Sequence, residues 1–257
     1  MTDRKKLLAS ASDAETATLL SHLYDLCIKA EKTGKPFFSD FLSPAEALMA
    51  KTAFFNKADV PVSFFGGYDG AERVMVCFGE AEKDMWPIAP LEIVTKNSSE
   101  LSHRACLGTV LSLGLKRLGV GDIVVSGNRA IVFASAHFAD FISQNITKIG
   151  GTGVKLKILD EADAAVPQRQ YKEKETSLSS MRLDCVVSAA VGKSRSAASS
   201  LIDRALVFVN YKEITSQSYT VCDGDVITIR GEGKFLIQTD NRLTRKGRIF
   251  VKILKYI

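Results

Sequence analysis

The 257-residue chain is 46% hydrophobic and 25% charged, with a formal net charge of +5, a balance that fits a globular protein of two or three modest domains. No apolar run approaches the ~20 residues of a membrane span. The basic, briefly apolar N-terminus meets acidic residues too soon for a secretory signal, so a cytoplasmic protein is expected. Cys27, Cys77, Cys106, Cys185 and Cys222 stand singly, with no CxxC and no nearby histidine pair, which argues for reduced thiols over disulfides or zinc.

The charge is unevenly spread. Residues 1–167 carry 18 Lys+Arg against 20 Asp+Glu, net −2, whereas residues 168–257 carry 16 against 9, net +7. A basic last third is compatible with a solvated surface and equally with a polyanion partner.

In chain order, residues 11–31 predict a helix with Leu19, Leu20, Leu23, Leu26 and Cys27 on one face, ended by KTGKP (32–36). Ser43-Pro44-Ala45-Glu46 has the N-cap serine, first-turn proline and third-position glutamate of a second helix start. Together these form an expected N-terminal helical unit over 1–59. Strands are expected at 61–65, 73–78 and 90–95, then a helix over 99–118. Strands around the turn SGNR (126–129), a helix over 138–149 and a strand at 154–159 follow. This β-β-α-β-β-α-β order predicts an α+β domain over 60–160, RRM-like or ferredoxin-like. An RNA-reading version needs exposed aromatics on its central strands. Phe133 alone fits such a place and reads more simply as core. Residues 161–178, polar and containing Pro167, are expected to be a linker.

Residues 179–257 carry the most specific pattern. Leu183, Val186, Val187, Ala190 and Val191 share one helical face, Gly192 stops that helix, and Ser194 is placed to cap a second helix with Ala197, Ala198, Leu201, Ile202 and Ala205 as its apolar stripe. The polar sides hold Arg182, Lys193, Arg195 and Arg204. Each alone is an ordinary exposed helix charge. Taken with Ser194, Ser196, Asn210 and Lys212, they form a set suited to phosphate oxygens. Lys234 and a second basic stretch, Arg242, Arg245, Lys246 and Arg248, extend the expected RNA-binding set.

Glycine pairs at 119/121, 151/153 and 231/233 lack dinucleotide spacing, and no GxxxxGK[ST], HExxH or GxSxG occurs. No enzyme activity, cofactor or metal is expected. Asp184, in an Arg-Leu-Asp triplet, reads as a first-turn helix residue favoured by the dipole or as the partner of a nearby arginine.

The stretches RLD (182–184), SRSAA (194–198), LI (201–202), VFVN (207–210) and GDVITIR (224–230) resemble the S4 RNA-binding domain. With FFGGYDGAER (64–73), LGTVLSLGLKR (107–117), GDIVV (121–125), RGEGKF (230–235) and TRKGRI (244–249), nearly the whole chain resembles the bacterial YlmH family. The resemblance implies a non-enzymatic RNA-binding protein of the large ribosomal subunit; a monomer is expected. Its implied partners are ribosomal RNA and peptidyl-tRNA, and its implied role is rescue of stalled nascent chains. It assigns RNA contact to Arg182, Lys193, Ser194, Arg195, Arg204 and Lys212. Members also lie near cell-division genes. The readings from other classes are an RNA-modifying enzyme with an S4 targeting arm and a cell-division adaptor. Three positions depart from the pattern. Ala205 replaces a usual glycine, so a left-handed turn there is expected to be strained or absent. Tyr211 replaces a small residue, and Glu232 stands where a basic residue is common.

Overall fold

The structure is a computed structural model that describes residues 4–9, 11, 13–160, 166, 171–239, 242–244 and 247–256. It divides into two units, Met1–Pro167 and Gln168–Ile257.

The first unit begins with α1 (Arg4–Ala9) and α2 (Ala14–Thr33). Asp13 caps α2 by accepting the Thr16 amide at 2.8 Å. Strand β1 (Phe37–Phe38) precedes α3 (Pro44–Phe54), whose Ser43–Glu46 capping box forms reciprocally as its sequence dictates. Strands β2 (Val62–Phe65) and β3 (Met75–Phe78) complete an antiparallel sheet ordered β1-β3-β2. Leu20, Leu23, Ala30, Ala50, Phe54 and Phe78 fill the core between these helices and this sheet. Thus β2 and β3, expected in the central α+β domain, instead join the N-terminal helices. The selecting contact is Phe37–Phe38 against Cys77–Phe78, a pairing across forty residues that no local pattern announces.

The rest of this unit runs β4 (Ile88–Thr95), α4 (His103–Ser112), β5 (Val120–Ser126), β6 (Arg129–Ser135), α5 (Ala136–Asn145), β7 (Lys148–Ile149) and β8 (Thr152–Ile158). The sheet order is β5-β6-β4-β8-β7, with every pair antiparallel. With the two-residue β7 set aside, this is the βαββαβ arrangement of a ferredoxin-like fold, and the α+β class is observed. Helix α4 is shorter than 99–118 because Gly114 adopts φ +82°, after which a 3-10 turn at Arg117–Gly119 leads into β5.

Both faces of this sheet are covered. Leu91, Ile93, Val132 and Ala134 pack with Cys106 and Val110 of α4 and Ala139 and Ile142 of α5. On the opposite face Ile131 and Phe133 are buried with Phe41, Met75, Cys77 and Trp86. Tyr68 stacks on Phe133 at 4.9 Å between ring centroids. A Cβ at Gly67, which has φ +97°, would lie 2.3 Å from the Phe133 ring, so the close approach requires glycine. Asp122 fastens the same loop, accepting from the Tyr68 hydroxyl (2.7 Å), the Glu72 amide (2.7 Å) and the Arg73 amide (3.1 Å). Arg73 in turn donates to the Val120 and Phe41 carbonyls, each at 3.0 Å. The FFGGYDGAER and GDIVV stretches are therefore two sides of one internal clasp.

The second unit comprises β9 (Tyr171–Leu178), α6 (Leu183–Val191), α7 (Arg195–Asp203), β10 (Val207–Val209), β11 (Lys212–Glu213), β12 (Val226–Ile229), β13 (Gly233–Gln238) and β14 (Ile249–Tyr256). Its antiparallel sheet is ordered β11-β10-β12-β13-β14-β9. Leu183, Val186 and Val187 of α6 and Ala198 and Ile202 of α7 pack on Val207, Ile227, Phe235, Ile237 and Ile253. The second half of the expected linker is a strand. β9 pairs along its full length with β14, from Leu178 opposite Ile249 to Tyr171 opposite Tyr256. Residues 161–165 and 167–170 of that linker lie outside the described residues.

Candidate nucleic-acid interface

The helix pair takes the form its caps prescribe. Gly192 closes α6 at φ +68°, donating its amide to the Ser188 carbonyl. Ser194 opens α7 by accepting the Ala197 amide at 3.3 Å. The Ser188 hydroxyl donates to the Lys193 carbonyl at 2.6 Å, so the connecting turn is held from both sides. The start of α6 is tied to the 216–220 loop: the Leu183 amide donates to the Tyr219 carbonyl (2.8 Å) and the Asp184 amide to the Gln217 carbonyl (3.2 Å).

At this corner three charged side chains converge. Asp184 is only 4% exposed, yet its carboxylate receives two arginines. Arg182 donates from Nε to Oδ1 at 3.1 Å and from Nη2 to Oδ2 at 3.4 Å, and Arg195 donates from Nη2 to Oδ2 at 2.5 Å. The Cys185 amide completes the set at 3.0 Å. The two arginine side chains remain 44% and 58% exposed. Burial pushes the Asp184 carboxyl up, but hydrogen bonds from Arg195 and Arg182, reinforced by their charges, outweigh it and hold the group at about 2. The same hydrogen bond raises Arg195. Asp184 is thus an arginine partner.

The other expected contacts divide. Lys193 sits on the same turn but pairs with Glu232 of the β12–β13 turn, so Glu232 neutralises a specific lysine rather than only diluting local charge. The Ser194 and Ser196 hydroxyls lie 3.0 Å apart. Arg204 at the end of α7 and Lys212 on β11 are exposed, with no ion-pair partner among the described residues. Asn210 is used internally: its amide donates to Asp225 at 2.7 Å and its oxygen accepts the Val226 amide at 2.9 Å, holding a left-handed turn at φ +48°. Lys234 donates to the Tyr211 hydroxyl at 2.9 Å and lies over the Tyr211 and Tyr256 rings at 4.8 and 4.9 Å. Arg242 covers Phe250 at 5.9 Å, and Arg248 donates to the Ser177 carbonyl at 2.5 Å. Arg245 and Lys246 lie outside the described residues. The left-handed turn at Ala205 is present, at φ +56°.

The structure therefore brings Arg182, Lys193, Ser194, Arg195 and Ser196 together and, among the described residues, places Arg204, Asn210, Lys212, Lys234, Arg242 and Arg248 elsewhere in the unit. One exposed cation absent from the expected set is Arg230, 4.7 Å over Phe208. Its signal is its place at the end of GDVITIR, beside an aromatic on the neighbouring strand. The ferredoxin-like sheet of the first unit is covered on both faces. The face that stacks bases in an RNA-reading fold of this class is the one packed beneath Tyr68, and Phe133 is fully buried there. Among the described residues no three or more His, Cys, Asp or Glu side chains group as metal ligands, and no helix is long and apolar enough to cross a membrane.

Three family models match consecutive stretches: "YlmH, N-terminal" over residues 15–83, "Putative RNA-binding domain in YlmH" over 83–163, and "S4 domain" over 181–227. The chain is 33% identical over 215 residues to the Ribosome-associated protein quality control protein P2 of Bacillus subtilis (strain 168), covering 82% of this chain and 83% of that protein. It also matches the solved structure of the Cell division protein ylmH from Streptococcus pneumoniae at a TM-score of 0.52 and 22% identity, covering 60% of this chain and 97% of the other; that likeness establishes a shared fold. The two YlmH models meet near residue 83, where the N-terminal sheet gives way to the ferredoxin-like one, and the S4 model covers the helix pair with its arginine cluster: the chain belongs to the YlmH family.

Proposed function

We propose that the chain is a non-enzymatic RNA-binding protein of the large ribosomal subunit, acting in the cytoplasm in the rescue of stalled nascent chains. In this reading the α6–α7 corner grips ribosomal RNA, and peptidyl-tRNA is a second contact. The observation that carries it is the convergence of Arg182 and Arg195 on one buried carboxylate, with Lys193 and two serine hydroxyls on the adjoining turn. Guanidinium forks held at a helix start suit phosphate oxygens, and they stand in the part of the chain with net charge +7. The name of the Bacillus subtilis relative supports placing that RNA on the ribosome. The buried sheet of the first unit supports assigning the phosphate grip to the second.

The test is co-sedimentation of the whole protein with purified 50S subunits, across a salt series. Phosphate contacts make affinity fall steeply with salt, and Arg182→Glu with Arg195→Glu is expected to abolish binding. Co-sedimentation unchanged by the double reversal sinks the assignment.

A further inference from the structure

A carboxylate at the centre of an RNA-binding corner is a paradox on charge alone, because it repels the phosphate its neighbours attract. We infer that Asp184 is a positioning residue, which fixes the Arg182 and Arg195 guanidinium groups side by side as one preformed two-fork receptor for RNA phosphate. The inference rests on the RNA-binding reading above and goes beyond it, because it assigns a role to a group that does not itself touch RNA.

The geometry is specific. Arg182 lies just before α6 and Arg195 is the first residue of α7. They are thirteen positions apart in sequence and start two different helices, so nothing local holds their heads together. The two oxygens of Asp184 do so: Oδ1 takes Arg182 Nε and Oδ2 takes both Arg182 Nη2 and Arg195 Nη2. The carboxylate cannot swing away to release them, because Oδ1 also accepts the Cys185 amide and the side chain is 6% exposed. Arg182 therefore engages Asp184 through its Nε and Nη2 and Arg195 through Nη2 alone, which leaves the Nη1 of Arg182 and the Nε and Nη1 of Arg195 outside this pairing. An exposed arginine ordinarily loses rotamer freedom when it binds. Here that ordering is complete before RNA arrives, and two guanidinium groups that would repel each other are held in register by the charge between them. Burial also keeps Asp184 back from solvent, so its own repulsion on an incoming phosphate is the smaller effect.

The sign of one substitution separates this role from simple electrostatics. Asp184→Asn keeps the size and the Cys185 acceptor but removes the charge. If Asp184 acted only as a negative charge near the site, the variant would bind 50S subunits more tightly. Positioning predicts the opposite: affinity of the whole protein for purified 50S subunits falls about tenfold or more. Its log–log salt dependence becomes shallower, by about 0.7–0.9 for each phosphate no longer neutralised. In the Arg182→Lys/Arg195→Lys background, which has no forks to align, Asp184→Asn is expected to change affinity less than about twofold. Unchanged or increased affinity in a variant that is still folded at the assay temperature overturns the inference. So does an equal fall in the Lys/Lys background.

A measurement on the unmodified protein covers the case in which the variant does not fold. Side-chain nitrogen relaxation should report the Arg182 and Arg195 Nε groups as rigid in the RNA-free protein, in contrast to the Arg204 Nε. Guanidinium groups as mobile as that of Arg204 overturn the proposal. Arg182→Glu with Arg195→Glu abolishing 50S binding while Asp184→Asn leaves it intact would remove this inference alone. Binding that survives the double reversal would remove the functional reading first.

Discussion

The turn that ends α7 allows a prediction whose sign and size both follow from backbone geometry. Ala205 stands at φ +56° in a Schellman arrangement: its amide donates to the Ile202 carbonyl at 2.9 Å and the Leu206 amide to the Leu201 carbonyl at 3.1 Å. A Cβ in this left-handed region costs roughly 1–2 kcal/mol. Ala205→Gly removes that strain and adds unfolded-chain freedom worth roughly 0.4–1 kcal/mol in the other direction. The net expectation is a gain of about 0.5–1 kcal/mol, or about 2–8 °C in midpoint for a unit of this size. Gly192→Ala is the mirror experiment. Gly192 has φ +68° and no heavy atom within 4 Å of an added Cβ, so its destabilisation, of similar magnitude, is a backbone effect uncontaminated by packing. Hydrogen exchange of the α6 and α7 amides reports the second unit. Fluorescence of Trp86, the chain's one tryptophan, reports the first and should not move. An Ala205→Gly variant with lower protection in α7, or two substitutions that act with the same sign, would refute the reasoning.

Two other outcomes follow from the same corner. Glu232→Gln frees Lys193 from its partner, so 50S affinity should rise a few-fold, with a salt slope steeper by about 0.7–0.9 in filter binding; weaker binding would show that the pair is part of the grip. Acid titration tests Asp184. Its folded value of about 2 lies below the unfolded 3.8, so its contribution, about 2 kcal/mol, is present above pH 3.8 and lost as pH falls through 2. The stability difference between the parent and Asp184→Asn in urea should therefore shrink on descending from about pH 5 to about pH 2. A difference that stays constant rules out the ion pair as its source.

Much of this architecture was legible wherever a few adjacent residues decide the outcome. Ser43 and Glu46, Gly192 and Ser194 each fix a helix boundary through bonds within a single turn, and all form as expected. The strand β9 was invisible for the converse reason. Its sequence YKEKETSL has five exposed residues in succession, so no alternating pattern marks it. It is a strand because β14 pairs with it and Lys252 reaches Glu173 at 2.7 Å. The candidate site divides along the same line. The Arg182–Arg195 corner lies on a motif read within about twenty residues. The bonds that draw Asn210 and Lys234 away from it depend on Asp225, Tyr211 and Tyr256, all reached across the sheet. Charge and residue type named candidates correctly as cations and amides. Only the sheet register reveals which of them are already engaged within the protein.

The pairing of β9 with β14 also bears on how the second unit comes into being. The strand synthesised first in this unit hydrogen-bonds to the one synthesised last, so neither edge is satisfied until nearly the whole unit exists. Closing so long a loop is slow, and throughout the delay β9 is an unpaired strand available to any other. Lys172, Glu173, Lys174 and Glu175 are a poor template for such pairing. The polarity that disguises β9 as a linker keeps the newborn chain from sticking to its neighbours while it waits for its partner.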